Sequence, residues 1–190
     1  MTNIPFSINK IFWGLIFVLV DLNIVYFDLL PDIIGYLIVV SGLSQLQPHS
    51  SYFSKAKVFG ILLALSSLVI VFINPPIPME EFGISNITLF SLLTQTIHSI
   101  LHLFLIIYAV QGLIVVAEKE EFFHLQESAK KGLRIYIIGT LAALAAMPFV
   151  WNADESKSFL IIIISALVTI IIEIIILVLL RRFRKRFMVL

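Results

Sequence analysis

An all-α fold is predicted for this sequence: a polytopic bundle of about six membrane-spanning helices in a single transmembrane domain, both termini on the cytoplasmic side. Three observations predict it. The first is composition. Only 13% of the 190 residues are charged and 60% are hydrophobic, with a mean hydropathy of +1.07. A soluble domain is about a quarter charged, so this chain has too little polar surface to cover a water-soluble globule. The second is pattern. The apolar residues fall in long runs, and a run of about 20 spans a bilayer as a helix. Isoleucine-rich runs would suit strands in water, but lipid obliges the backbone to satisfy its own hydrogen bonds, which selects the helix. The third is the placement of the basic residues, which cluster in every second polar break.

The first helix is expected over residues 11–27, directly after Lys10. No small-x-small cleavage pattern follows Lys10, so the run is expected to stay as a helix. The break Asp28-Leu29-Leu30-Pro31-Asp32 comes next. Pro31 is expected to bar a helix, and Asp32 to cap a second one over residues 33–47. Gly35 and Gly42 lie seven apart on one face of that helix, where a neighbour could pack closely. The third helix is expected over 58–74, stopped by Pro75, Pro76 and Pro78. The fourth, over 88–117, would be about 45 Å long and should tilt or extend into the cytoplasm. Residues 118–131 mix both charges with Phe122, Phe123 and Leu125. They read as a continuation of the fourth helix or as an interfacial helix. The fifth is expected over 132–150, with Gly139, Ala142, Ala143 and Ala146 as a small-residue face. Trp151 and Asn152 mark an interface after it. The sixth is expected over 158–180.

Sidedness follows from charge. Lys10 precedes the first helix, and Lys55 and Lys57 follow the second. Lys119, Lys130, Lys131 and Arg134 follow the fourth. Arg181, Arg182, Arg184, Lys185 and Arg186 follow the sixth. Only Lys157 lies in a break of the other set, which carries Asp28, Asp32, Glu80, Glu81, Asp154 and Glu155. The positive-inside rule places the twelve cations in the cytoplasm. The C-terminal run interleaves its cations with Phe183 and Phe187. After a membrane helix it is expected to anchor to anionic lipid of the inner leaflet rather than to nucleic acid.

Four ionisable residues fall inside predicted helices: Asp21, His98, His102 and Glu173. Such groups are costly in a membrane and face the bundle interior or water. In the fourth helix Thr88, Ser91, Thr94, Gln95, His98, Ser99 and His102 share one arc of about 140°. In the sixth, Ser165, Thr169 and Glu173 follow at i, i+4 and i+8. Helix depth suggests two layers, Asp21 with His98 and His102 with Glu173. Three chemistries fit these residues. They could be interhelical hydrogen bonds that hold the bundle together. They could line a proton or ion path through Asp21, Gln95, His98, His102 and Glu173. They could hold a metal on His98 and His102 at i and i+4, although Ser99 and Ile100 break the HExxH pattern. Two histidines on one helix cannot ligate opposite faces of a haem iron. Asp28 and Asp32 form either an ordinary outer turn or a cation-attracting mouth. With no cysteine there is no thiolate chemistry and no disulfide.

The stretch Ile11-Phe12-Trp13-Gly14, Asp21, Asp28-Leu29-Leu30-Pro31-Asp32-Ile33-Ile34-Gly35-Tyr36 and Gly42-Leu43 resembles a group of small multi-pass membrane proteins from Firmicutes. Leu30-Pro31-Asp32 through Gly35-Tyr36 is its specific part. The resemblance covers about the first quarter of the chain; elsewhere only the hydrophobic pattern is shared. It implies a bacterial plasma membrane location and carries no mechanism.

No nucleotide-binding loop, catalytic triad or large soluble domain is present. The expected function is therefore a non-enzymatic interaction, sensing or regulatory component of the membrane, without a cofactor. Its partners would be the lipid bilayer, anionic inner-leaflet lipid, and another membrane protein or a second copy of itself, with no nucleic acid. The alternative is a small transporter or a proton- or cation-conducting protein that uses the polar stripes.

Overall fold

The computed structural model describes residues 3–19, 30–73 and 89–188. Among them the chain is all-helical, with six α-helices: α1 Ile4–Leu19, α2 Leu30–Leu46, α3 Ser51–Ile73, α4 Leu89–Lys119, α5 Phe123–Asn152 and α6 Glu155–Phe187. A single 3-10 turn, Gln47–His49, joins α2 to α3. Each helix packs against the next, and α6 returns to α1, so the six close into a ring.

Four of the helices contain stretches long and apolar enough to cross a bilayer: Ser51–Val69, Leu93–Lys119, Phe123–Val150 and Ser156–Phe187. α1 is a shorter apolar helix. Large apolar side chains also cover the outside of the ring. Leu160, Ile164, Leu167, Ile171 and Ile174 of α6 are exposed in a row, as are Leu93, Ile97 and Ile100 of α4. Continuous apolar rows of this extent mark a surface that meets lipid. The molecule is a membrane protein with a polytopic helical bundle.

Helix bounds differ from the sequence expectation, most of all at the basic end. α1 begins at Ile4, seven residues before the expected start, because the Asn3 side chain caps it: Asn3 Oδ1 accepts the Phe6 N–H at 3.1 Å. Lys10 therefore lies inside α1, where its Nζ donates to Ser41 Oγ of α2 at 3.1 Å. Asp32 does not cap α2 from outside. Leu30 and Pro31 are already helical, and Asp32 sits in the first turn, where proline is tolerated and a carboxylate suits the helix dipole. α3 begins at Ser51 after Ser50, whose Oγ accepts the Tyr52 N–H at 3.3 Å. α5 begins at Phe123, so the amphipathic segment forms its first turns rather than extending α4. α6 runs through the basic residues to Phe187. At these ends a helix keeps one face inward, as Phe53, Ala56, Ala129, Phe183 and Phe187 show, all buried. Hydropathy had marked the lipid-crossing parts, and helicity continues beyond them.

Two backbone features set the packing. α1 and α2 touch through glycine. A Cβ at Gly14 would lie 2.6 Å from the Gly35 carbonyl oxygen, and one at Gly35 would lie 2.8 Å from that of Gly14. The neighbour expected along the Gly35 face is thus α1. The second feature is the turn between α4 and α5. The Phe122 N–H donates to the Ala117 carbonyl at 2.8 Å and the Glu121 N–H to that of Glu118 at 3.1 Å. This is a Schellman cap, which places Glu121 in the left-handed region with φ of 58°. Phe122 then turns inward and meets Phe187 edge-on, with ring centroids 5.4 Å apart.

Two outcomes follow. Gly35→Val should lower the melting temperature in detergent, at a cost of about 1–3 kcal/mol, because the helix backbones cannot separate without losing their contact. Glu121→Gly should raise it, by about 1 kcal/mol, because glycine adopts the left-handed conformation without the Cβ clash.

Candidate functional site

Glycine contact, ring closure and helix register together turn five polar side chains toward the ring interior, and a sixth joins them. Tyr36 comes from α2, Ser66 from α3, His98 and His102 from α4, Tyr136 from α5 and Glu173 from α6. His98 and His102 are four residues apart and so project from one face of α4. Tyr36 and Tyr136 are 1% and 2% exposed, and Glu173 8%.

These side chains form one unbroken chain of hydrogen bonds. Ser66 Oγ meets His98 Nδ1 at 3.1 Å, and His98 Nε2 meets the Tyr36 hydroxyl at 3.1 Å. The same hydroxyl meets His102 Nδ1 at 2.9 Å. His102 Nε2 meets Glu173 Oε1 at 2.9 Å, and the Tyr136 hydroxyl donates to that oxygen at 2.8 Å. At its far end Ser66 Oγ also bonds back to the Leu63 carbonyl at 2.9 Å. Five helices are tied together by this chain.

Proton counting gives two arrangements that use every side-chain contact from Ser66 to Glu173, and only the first also keeps the Ser66–Leu63 bond. In one, His102 is doubly protonated and donates to Glu173 and to Tyr36. Tyr36 then donates to His98 Nε2, His98 Nδ1–H to Ser66, and Ser66 to Leu63. In the other, with one proton fewer, His102 keeps only Nε2–H. Tyr36 donates to His102 Nδ1, His98 Nε2–H donates to Tyr36, and Ser66 donates to His98 Nδ1. A proton added at His98 Nδ1 converts the second into the first by shifts along existing hydrogen bonds. It ends as a charge on His102, beside the Glu173 carboxylate, and the pair then carries no net charge.

The two ends of the chain differ. Asp32 lies one helical turn before Tyr36, on the side of His98 and Ser66. Beyond Glu173, toward the end of the bundle that carries the basic residues, the next layers of the interior are apolar among the described residues. Leu43, Ile106, Leu113, Leu133, Ile176 and Leu180 are all buried there. Glu173 is separated from Arg181 by about 12 Å of helix.

The sequence-expected residues fare differently. His102 and Glu173 are in direct contact, and His98 joins them through Tyr36. Asp21 and Asp28 lie outside the described residues. Gln95 is exposed and does not enter the chain, because the polar arc of α4 is wider than the strip its neighbours cover. Thr169 bonds to the Ser165 carbonyl of its own helix at 2.9 Å rather than to the chain. Among the described residues no three metal-ligating side chains converge. The Tyr36 hydroxyl occupies the position between the two histidines that a shared metal would need. In the C-terminal run Arg181, Arg182, Lys185 and Arg186 are exposed, whereas Arg184 is half-buried. Phe183 and Phe187 point into the core, stacked at 6.4 Å.

Tyr36, Tyr136 and Ser66 were missed by sequence reasoning. In the expected helices over 33–47 and 132–150 both tyrosines fell near the helix start, the interfacial position that tyrosine favours. The structure starts α2 at Leu30 and α5 at Phe123 and buries both tyrosines, and a buried phenol requires a hydrogen-bond partner.

Comparison of the chain with family models, curated proteins and solved structures finds no match.

His102→Ala and Glu173→Gln should be strongly non-additive in a double-mutant cycle read by melting. Each alone breaks a buried pair, a change that costs about 3–5 kcal/mol. The double variant should cost less than the two summed, with a coupling of more than about 1 kcal/mol. Gln95→Ala should stay within about 0.5 kcal/mol of the parent.

Proposed function

We propose that this protein is a non-enzymatic sensing component of the bacterial plasma membrane, whose helix packing responds to uptake of one proton by the buried chain from Ser66 to Glu173. Both termini lie in the cytoplasm in this reading. The supporting facts are the twelve-to-one division of basic residues and their gathering at one end of the bundle. There Lys119 Nζ donates to the His49 carbonyl at 2.9 Å, and Arg186 lies 4.7 Å from the centre of the Phe122 ring. Lys157, the lone exception, pairs with Asp154 at the opposite end. The exposed cations of the C-terminal run suit anionic inner-leaflet lipid.

The observation that carries the sensing reading is the closed end of the chain. A conducting path needs exits on both sides. Here a proton can be relayed from His98 to His102, yet the next layers beyond Glu173 are buried leucine and isoleucine. A proton stored beside Glu173 changes the charge at the junction of α2, α4, α5 and α6. That is a means of signalling through helix packing, and it requires neither a substrate nor a cofactor.

The continuity of the hydrogen bonds favours proton conduction as the second reading, and one experiment separates the two. The protein in liposomes should pass no more protons under an imposed pH gradient than empty liposomes. Infrared difference spectra across a pH step should show imidazole and tyrosine signals that Glu173→Gln and Tyr36→Phe abolish. Flux that Glu173→Gln removes would establish conduction instead. Absence of both flux and spectral change would leave the chain with a packing role alone.

A further inference from the structure

At the basic end of the bundle, away from the buried chain, an open cleft of about 690 Å³ lies between the start of α1, the turn after α4 and the end of α6. Its volume falls in the range of small-ligand sites. Four polar side chains line it: Asn3, whose Oδ1 is taken by the Phe6 N–H, and Asn9, Glu120 and Arg184, which among the described residues make no side-chain hydrogen bond or ion pair. Asn9 Oδ1 and Arg184 Nε are, in addition, buried atoms without a hydrogen-bond partner. A buried polar atom left unpaired is costly, so native structures satisfy such atoms with protein, water or ligand. An arginine and a glutamate that face one cleft without pairing leave a positive and a negative pole. The rim is apolar: Phe6 is 53% and Met188 55% exposed, with Phe187 buried behind them.

We propose that this cleft binds the headgroup of an aminophospholipid of the phosphoethanolamine class. Arg184 takes the phosphate, as a planar guanidinium does in bidentate fashion. The primary ammonium donates to the Glu120 carboxylate and to Asn9 Oδ1. Phe6 and Met188 continue into the lipid-facing surface and receive the start of the acyl chains. A lipid fits better than a soluble zwitterion because the cleft opens at the ends of membrane helices and has this apolar rim. A choline headgroup lacks the N–H donors that Glu120 and Asn9 require. A purely anionic headgroup would bring its charge against Glu120.

The test uses the full chain in nanodiscs of phosphatidylcholine alone, or with added phosphatidylethanolamine or phosphatidylglycerol. Native mass spectrometry reads the lipid retained, and thermal melting reads its effect. The parent protein should retain phosphatidylethanolamine at least about tenfold better than the other two, a difference of about 1.4 kcal/mol, and melt higher in its presence. Arg184→Gln should lose retention of all three lipids. Glu120→Gln should lose the preference while still retaining lipid. Glu120 is exposed in a turn, so this variant reports on binding in a folded protein. Equal retention of the three lipids by the parent, a preference for phosphatidylglycerol, or an unchanged preference in Glu120→Gln would overturn the proposal.

Discussion

Glu173 is a carboxylate in the interior of a bundle that lipid surrounds, and the rest of the interior is arranged around that cost. A charged side chain at the centre of a membrane helix costs about 3 kcal/mol or more when nothing compensates it. Here two donors compensate, one from α4 and one from α5. The first of these, His102, is itself a polar group that needs a partner, and Tyr36 of α2 supplies it. Tyr36 in turn meets His98, and His98 meets Ser66 of α3. Each solution raises a further polar group, and the sequence of partners ends only where serine bonds back to its own helix.

Packing makes that sequence of partners possible. The ring of helices brings Tyr36, His102, Tyr136 and Glu173 toward one centre, which requires α2 to be held against its neighbours without play. α1 does this from outside the chain. Its backbone approaches α2 at Gly14 and Gly35, and its polar side chains bond to α2 as well: Ser7 Oγ to Gln45 at 2.9 Å and Lys10 Nζ to Ser41 at 3.1 Å. Among the described residues α1 contributes no side chain to the central network, but it positions the helix that does.

The helical class, the alternation of charge and the close-packing face of α2 at Gly35 and Gly42 were legible in sequence because each depends on one periodic property; that Gly14 of α1 meets it was not. The pairing of His102 with Glu173 was legible from depth alone, since rise per residue is constant in a helix. The rest depended on three dimensions. Gln95 shares the arc of His98 on a helical wheel, yet whether that arc is covered is decided by neighbouring helices. Tyr36 and Tyr136 counted among the hydrophobic residues, and their hydroxyls became informative only once the structure showed each buried. The helix starts at Ile4, Ser51 and Phe123 were hidden for a different reason. Hydropathy reports the lipid-crossing part of a helix, while caps and amphipathic turns at the basic end follow the rules of soluble helices.

The closed end of the network has a consequence for how a change could spread. Adding a proton at His98 keeps the contacts from Ser66 to Glu173, turns the Ser66 hydroxyl to the Leu63 carbonyl, reverses the direction of the Tyr36 hydroxyl and puts a second proton on His102. The interaction of His102 with Glu173 thereby changes from that of a neutral donor with a carboxylate to that of an ion pair. In a low-dielectric interior this is a large difference in attraction between α4 and α6. Water beyond Glu173 would screen it, and the buried leucine and isoleucine layer prevents that. The same apolar block that denies the proton an exit therefore preserves the strength of the interaction. A through-going channel would need the opposite arrangement, a polar interior on both sides of Glu173, and would lose the contrast between the two charge states on which a packing response depends.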